Sequence, residues 1–355
     1  MSGYFGVIMA GGGGERFWPL SRRATPKQLL NLSGKEVMVN EAVDRLSNII
    51  PRENILIVTN AQQATNMRAV TAERIHGEHV LSEPCARNTA ACIGYAAMKI
   101  YRQYGDGVMV ITPSDAYIRD NKTFTEILKR AVSAAEHSDS LVTVGITPTF
   151  PATGYGYICF EKSDNAVKKV LRFVEKPNLE LAQEYLKSGD YVWNSGMFIW
   201  KVSVILDAFK QYIPDVYDQL VRIGDSLGTP EEQATLEEVY PKIRSVSIDY
   251  AIMEKSNNIL VVPGEFGWSD VGSWDMLNAI YSEDENGNVI VGDCLSEDTS
   301  GCIVYSKKKL VSTVGLRDII VVDTPDAILV CAKDRAQDVK KIVEKLRNQG
   351  REDLL

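Results

Sequence analysis

Histidine is almost missing from the chain, with three residues, and the six cysteines include no CxxC pair. Zinc centres draw on clustered Cys and His, so a zinc site is not expected. Cys85, Cys92, Cys159, Cys294, Cys302 and Cys331 read instead as small buried residues rather than disulfide partners. Positive charge is also short: 47 acidic residues stand against 39 basic ones, a formal net charge of −8. A general nucleic-acid binder needs a basic surface against the phosphate backbone, which this balance does not provide. No apolar run approaches the ~20 residues of a membrane span. The short apolar stretch after Met1 has no basic lead of the kind that opens a secretory signal, and reads as a buried first strand. The expectation is a cytoplasmic protein with neither nucleic acid nor membrane as partner. A small anionic ligand stays open, because a few Lys and Arg residues in one pocket suffice even on an acidic protein.

What is present has the texture of a soluble enzyme. The 355 residues are 45% hydrophobic and 24% charged, enough for a large α/β domain plus a smaller module. Phe5–Met9, Ile55–Thr59, Val108–Thr112 and Leu141–Gly145 are continuously apolar, as strands buried on both faces are. Between them, Val37–Ile49, Gln62–His76, Asn88–Tyr104 and Phe124–His137 carry apolar residues at helical spacing. This alternation predicts a Rossmann-like, mostly parallel sheet with helices on both faces and ligands at the carboxyl ends of its strands. Further strands are expected at Tyr155–Phe160, Val167–Val174, Met197–Val202 and Ile259–Pro263, with helical stretches between Val204 and Tyr240 and near Ile248–Lys255. Glu283–Gly292 reads as a polar linker, dividing a domain of residues 1–282 from a C-terminal module of residues 283–355. In that module Val304, Leu310, Leu316, Val322 and Ile328 fall on a six-residue register. Such a register suits the coils of a parallel β-helix, though a run of short strands also produces it. Ala336–Arg347 is an amphipathic helix.

The first strand runs into Gly11-Gly12-Gly13-Gly14-Glu15-Arg16-Phe17-Trp18-Pro19-Leu20-Ser21-Arg22. The spacing is neither the dinucleotide-binding G-x-G-x-x-G/A nor the P-loop, which closes on Gly-Lys-Ser/Thr. A strand-to-helix turn explains one or two glycines. Four together allow successive backbone N–H groups to approach a phosphate closely. Arg16, and Lys27 in Thr25-Pro26-Lys27-Gln28, supply the counter-charge that a triphosphate demands.

Residues 11–28 resemble the signature of the sugar-nucleotide pyrophosphorylases, and the wording Phe17 to Arg22 resembles their mannose-1-phosphate guanylyltransferase branch. Further stretches follow in that family's order: Glu83-Pro84 with Arg87-Asn88-Thr89-Ala90, Pro113-Ser114-Asp115, Phe173-Val174-Glu175-Lys176-Pro177, Trp193-Asn194-Ser195-Gly196-Met197-Phe198, and Gly267-Trp268-Ser269-Asp270-Val271-Gly272. The resemblance implies a left-handed parallel β-helix for the C-terminal module. It also implies an enzyme that joins GTP to α-D-mannose 1-phosphate, giving GDP-mannose and diphosphate. The same chemistry with glucose 1-phosphate and UTP or dTTP is the near alternative, and a non-catalytic sugar-nucleotide sensor the distant one. A homodimer formed through the C-terminal module rests on analogy alone.

In-line displacement at the α-phosphorus by an anionic phosphate needs no general base. It needs a divalent metal on carboxylates and cations on both phosphate groups. The resemblance assigns Mg²⁺ to Asp115 and Asp270, each of which would otherwise read as a turn residue. Ala116 stands where the family commonly has His, which removes a hydrogen bond behind the carboxylate. The resemblance makes Arg16, Lys27 and Lys176 the catalytic cations, the first two on the nucleotide phosphates and the third on the sugar phosphate. Gly11 to Gly14, Glu15, Arg87, Asn88, Thr89 and Asp115 would border the nucleotide, and Gly154, Glu175, Asn194 and Asp270 the sugar. Asn88 or Thr89 would also make an ordinary helix cap, and Asn194 an Asx turn.

Overall fold

The structure, a computed structural model, describes residues 3–355; Met1 and Ser2, the first residues of the expected 1–282 domain, lie outside the described residues. Contacts divide the chain into two compact units. One holds residues 1–11, 42–114 and 120–268, and the other holds 12–41, 115–119 and 269–355.

The first unit is built on a sheet. Its strands are β1 (Gly3–Met9), β2 (Ile55–Asn60), β3 (Val80–Glu83), β4 (Gly107–Pro113), β5 (Leu141–Ile146), β6 (Tyr157–Phe160), β7 (Lys168–Val174), β8 (Tyr191–Lys201) and β9 (Ile259–Gly264). Among the described residues they form one nine-stranded sheet in the order β3-β2-β1-β4-β8-β5-β9-β7-β6. The β3-β2-β1-β4 half is parallel throughout, as the strand–helix alternation requires. Beyond β4 the sheet is mixed: β8 runs antiparallel to both β4 and β5, while β5 and β9 are parallel to each other. Helices at Leu179–Ser188 and Val202–Tyr212 flank β8 in sequence, so strand–helix alternation does not by itself make a strand parallel to its neighbours.

The helices are α1 (Met38–Leu46), α2 (Ala61–Thr71), α3 (Asn88–Tyr104), α4 (Asn121–Glu136), α5 (Leu179–Ser188), α6 (Val202–Tyr212), α7 (Pro214–Ser226) and α8 (Glu232–Val239); all but α5, which the sequence pattern did not suggest, fall at or within the expected helical stretches to within three residues. Phe5, Val7, Met109 and Ile111 join one core with α3, α6 and α7. Their strand neighbours Ile8, Val108 and Val110 are equally buried but point away from that core. Both faces of the sheet are therefore covered, which is why these strands are apolar without alternation. The stretch expected to be helical near Ile248–Lys255 contains a π-turn at Asp249–Met253.

The second unit has its own core, in which Phe17, Trp18, Val271 and Trp274 pack with Val289, Ile303, Tyr305, Ile320 and Val322. Strands β10 (Val289–Glu297), β11 (Ile303–Val314) and β12 (Ile319–Asp323) pair in parallel, and β13 (Ile328–Ala332) closes the set antiparallel to β12. The expected linker is shorter than the sequence suggested, since β10 already begins at Val289. The six-residue register does not describe the stacking. Val304 and Val322 are buried, but Leu310 and Ile328 are 52% and 61% exposed. The stacked partners are Val289 with Ile303 and Ile303 with Ile320, one whole coil apart. Six residues mark one side of a coil, and only a full circuit returns a side chain to the same inward position. Helix α9 (Val339–Asn348) ends the unit, burying Val339 and Val343. Among the described residues all six cysteines are free; Cys92 and Cys302 are buried and the other four half-buried.

Trp274 is fully enclosed, 5.0 Å from the Phe17 ring and 5.3 Å from Tyr305, with Nε1 donating to the Trp18 carbonyl at 3.0 Å. Trp274→Ala should cost about 3–5 kcal/mol of stability, read by urea denaturation. An unchanged midpoint would show that the indole does not hold this core together.

Candidate active site

In the second unit, the glycine loop is shaped by what lies beneath it. Gly14 has φ of +61°, and a Cβ there would sit 2.4 Å from Lys27 Cβ and 2.7 Å from its backbone nitrogen. Only glycine satisfies both the left-handed backbone and the contact. Ser21 Oγ donates to the Gly14 carbonyl at 2.8 Å, and Gln28 Nε2 to the Gly12 carbonyl at 3.0 Å. Gly12 faces open space instead, and a Cβ on Gly13 would meet only Glu15 Cγ, at 3.8 Å, as in a loop that receives a ligand.

Lys27 lies under this loop with its side chain 5% exposed. Its ammonium donates to the Asp115 carbonyl at 2.9 Å, to Asp115 Oδ2 at 2.9 Å, and to the Asp270 carbonyl. Three N–H bonds thus meet three acceptors, which exhausts the donors of a lysine. A phosphate oxygen reaches this ammonium only by replacing one of them. Gly272 leaves room for Asp270, because a Cβ there would stand 2.9 Å from Asp270 Oδ2. These residues border a cavity of about 520 Å³ lined by Gly13, Gly14, Glu15, Arg16, Lys27, Asp115, Asp270, Gly272 and Lys340. Lys340 is a member that the sequence reading did not single out. Among the described residues no three His, Cys, Asp or Glu side chains gather as a metal cluster. Two carboxylates facing one cavity, with a lysine ammonium bonded to the first, are a hard-oxygen set that suits Mg²⁺, which keeps its remaining positions for water and substrate oxygens. The two tryptophans of the Gly267–Trp274 loop part company: Trp274 is the core residue described above, while Trp268 belongs to the first unit.

In the first unit, Trp268 packs edge-on to Tyr155 at 5.5 Å, Tyr155 to Trp193 at 5.1 Å, and Phe150 to Trp193 at 4.9 Å, giving an aromatic wall. Asn194 Oδ1 accepts from Gly196 N–H at 3.1 Å, the Asx turn, while its Nδ2 donates to Asp249 Oδ1 at 2.8 Å. Lys176, left-handed at φ 47°, pairs its ammonium with Glu175 Oε1 at 2.8 Å. The second oxygen, Glu175 Oε2, is buried with no hydrogen-bond partner among the described residues. Such an acceptor asks for a donor, and a sugar hydroxyl is one. A side chain at Gly156 would collide with it at 2.5 Å. Gly154, exposed with nothing within 4 Å of its Cβ position, is not what makes room here.

The start of α3 is tied to neighbouring backbone rather than capped in the usual way. Arg87 is the cap residue and donates to the Pro241 carbonyl, Asn88 has φ of 65°, and Thr89 Oγ1 accepts from Ile248 N–H at 2.9 Å. Nearby, Glu83 is buried, accepts from the Tyr240 hydroxyl, and lies 3.3 Å from where a Cβ on Gly11 would be. Desolvation lifts its carboxyl to about 7, against the Tyr240 bond, which lowers it.

The sequence pattern of nucleotidyl transferases matches residues 5–287. The chain belongs to the nucleotidyl transferase family. A second pattern, the MannoseP isomerase/GMP-like beta-helix domain, matches residues 292–346. The chain is 40% identical over 358 residues to the mannose-1-phosphate guanylyltransferase of Salmonella montevideo, covering 97% of this chain and 74% of that protein. It is 38% identical over 349 residues to the alginate biosynthesis protein AlgA of Pseudomonas aeruginosa, covering 97% and 72%. A solved structure from Thermus thermophilus, named a mannose-1-phosphate geranyltransferase, superposes with a TM-score of 0.88 at 34% identity, covering 97% of this chain and 99% of that one. Family membership makes the chain an enzyme of the nucleotidyltransferase type.

Asp249 escaped the sequence reading because nothing local marks it. Desolvation, then the Glu175 charge, raises its carboxyl from 3.8 to about 6, while Asn194 and Lys176 pull the other way. Between those values the folded state binds more protons than the unfolded one, so this group's contribution to stability falls as pH rises through the window and is flat above it. The difference amounts to about 3 kcal/mol at most. Asp249→Asn keeps an acceptor for Asn194, so its stability relative to the parent should climb between pH 4 and 6.5 in denaturation experiments. A difference independent of pH would mean that the carboxyl titrates normally.

Proposed function

We propose that the chain catalyses GTP + α-D-mannose 1-phosphate → GDP-mannose + diphosphate. The name of the Salmonella relative and family membership support the reaction class. The observation that carries the reading is the cavity of the second unit, where a glycine loop, two aspartates, Arg16 and the Lys27 ammonium face one space. In this reading an oxygen of the sugar phosphate forms the new bond to the α-phosphorus of GTP, and the bond to the bridging oxygen of the β-phosphate breaks. The nucleophile is already an anion, so no side chain has to remove a proton.

Asp115 and Asp270 would hold Mg²⁺, which supplies charge neutralisation on the phosphate oxygens when bound. Arg16 and Lys27 would bind the β- and γ-phosphates, with Gly11 to Gly14 and Glu15 along the phosphate chain and Arg87, Asn88 and Thr89 beside the nucleoside. Lys176 would bind the sugar phosphate, and its exposed position leaves the ammonium free to exchange Glu175 for that anion. Glu175, Asn194, the Gly154 backbone and Asp270 would take the sugar. The proposal keeps residues 1–282 as the transferase domain and 283–355 as the β-helix module, a cytoplasmic setting, and a homodimer. No described helix is long and apolar enough to cross a membrane.

Diphosphate release with Mg²⁺ tests the reading when GTP, ATP, UTP and dTTP are crossed with mannose 1-phosphate and glucose 1-phosphate. Release should be confined to GTP with mannose 1-phosphate. Asp270→Ala should lose about 100-fold or more, since a bound metal supplies several kcal/mol. Release with another pair would keep the chemistry and move the substrates. No release in any combination from a folded protein would end the enzymatic reading.

A further inference from the structure

The cavity of the second unit contains a cation from an unexpected part of the chain. Lys340 belongs to α9, in the C-terminal module, yet it lines the same space as Gly13, Gly14, Arg16 and the two aspartates. Its placement is fixed rather than incidental. Val339 and Val343 are buried in the unit's core, which sets the rotation of the helix. Arg347, seven residues on and hence on the same face, bonds Glu15 of the glycine loop at 2.8 Å. With the buried valines setting the helix rotation and Arg347 held at the loop, Lys340 lines the cavity.

The charges around the cavity are largely committed already. Lys27 has spent its three donors on Asp115 and Asp270, and Glu15 is neutralised by Arg347. Lys341, the neighbour of Lys340, is paired with Asp338 at 2.8 Å. Arg16 and Lys340 are exposed and make no ion pair or hydrogen bond among the described residues. They are the two uncommitted cations of the cavity. A terminal diphosphate group carries about three negative charges near neutral pH, and charge-assisted contacts from two sides are the usual way to hold one.

We propose that Lys340 is a phosphate-binding residue of this site, holding the β- and γ-phosphates of the nucleotide and the diphosphate product opposite Arg16. The C-terminal module thereby contributes a functional side chain directly. The inference rests on the reading of the cavity as the triphosphate site.

The test is calorimetric binding of inorganic diphosphate in the presence of Mg²⁺ to the full chain, Lys340→Ala, Lys340→Arg and Lys341→Ala, together with steady-state kinetics. Lys340→Ala should weaken diphosphate binding by about tenfold and raise the KM for GTP by a similar factor. The KM for mannose 1-phosphate should stay within about twofold. Lys340→Arg should recover most of the loss, and Lys341→Ala should match the parent. Equal diphosphate affinity in Lys340→Ala and the parent would overturn the inference while leaving the proposed reaction intact. Conversely, Lys340-dependent diphosphate binding in a protein that releases none from GTP and mannose 1-phosphate would sustain the site and overturn that reaction. Loss in Lys340→Ala that Lys340→Arg does not restore, with circular dichroism unchanged, would assign the residue to packing and also overturn it.

Discussion

A single buried ammonium organises the second unit. Lys27 bonds the segment around Asp115 and the segment around Asp270, and Gly14 rests on its side chain so closely that no other residue fits. Three stretches of chain far apart in sequence, 12–41, 115–119 and 269–355, meet around it. A charge withdrawn from water in this way is tolerable only with its acceptors in place, since removing one side of such a pair costs about 3–5 kcal/mol. That constraint couples loop conformation, carboxylate position and cation placement. Moving any one of the three disturbs the other two.

The chemistry proposed for the site gains from this arrangement. Nucleotidyl transfer is a problem of bringing anions together, and it is solved by fixed charges rather than by proton transfer. Asp115, through its carboxylate and carbonyl, and Asp270, through its carbonyl, are held by the same buried ammonium. In the first unit, the carboxylates Glu175 and Asp249 are grouped with Asn194 and Lys176, and one buried oxygen is left without a donor. Acceptors crowded together and short of donors are what a polyhydroxylated ligand would satisfy.

Much of this was legible in the sequence because it is local. Helix α3 was read to the residue, 88–104, from apolar spacing, and β1, β2, β4 and β5 were placed within two residues, while the short β3 went unseen. The glycine loop announced itself through composition. What stayed hidden depends on contacts between distant segments. Asp249 sits on a π-turn, where no spacing rule applies, and its partner Asn194 is 55 positions away. Lys340 looked like one more solvated charge on an amphipathic helix, and only the docking of Val339 and Val343 reveals where it points. The β-helix misled at the level of register, because alternating side chains make a six-residue series visible even where, as at Leu310 and Ile328, it faces solvent. The antiparallel insertion of β8 was also unreadable, since Gly196 at φ 72° interrupts its pattern and the strand was seen only from Met197 on.

The link between the glycine loop and the far end of the chain carries a consequence for synthesis. Trp18 Nε1 donates to the Leu354 carbonyl at 2.9 Å, 336 positions later, and the Arg23 amide donates to Leu355 at 2.8 Å. At ribosomal rates of about 5–20 residues per second, the loop leaves the ribosome roughly 17–67 s before its partners exist. The sheet of the first unit can begin to assemble in that interval, but the glycine loop has to wait for these contacts. A chain that stops short of Leu354 would therefore leave Trp18 Nε1 and the Arg23 amide, both beside the glycine loop, without these acceptors.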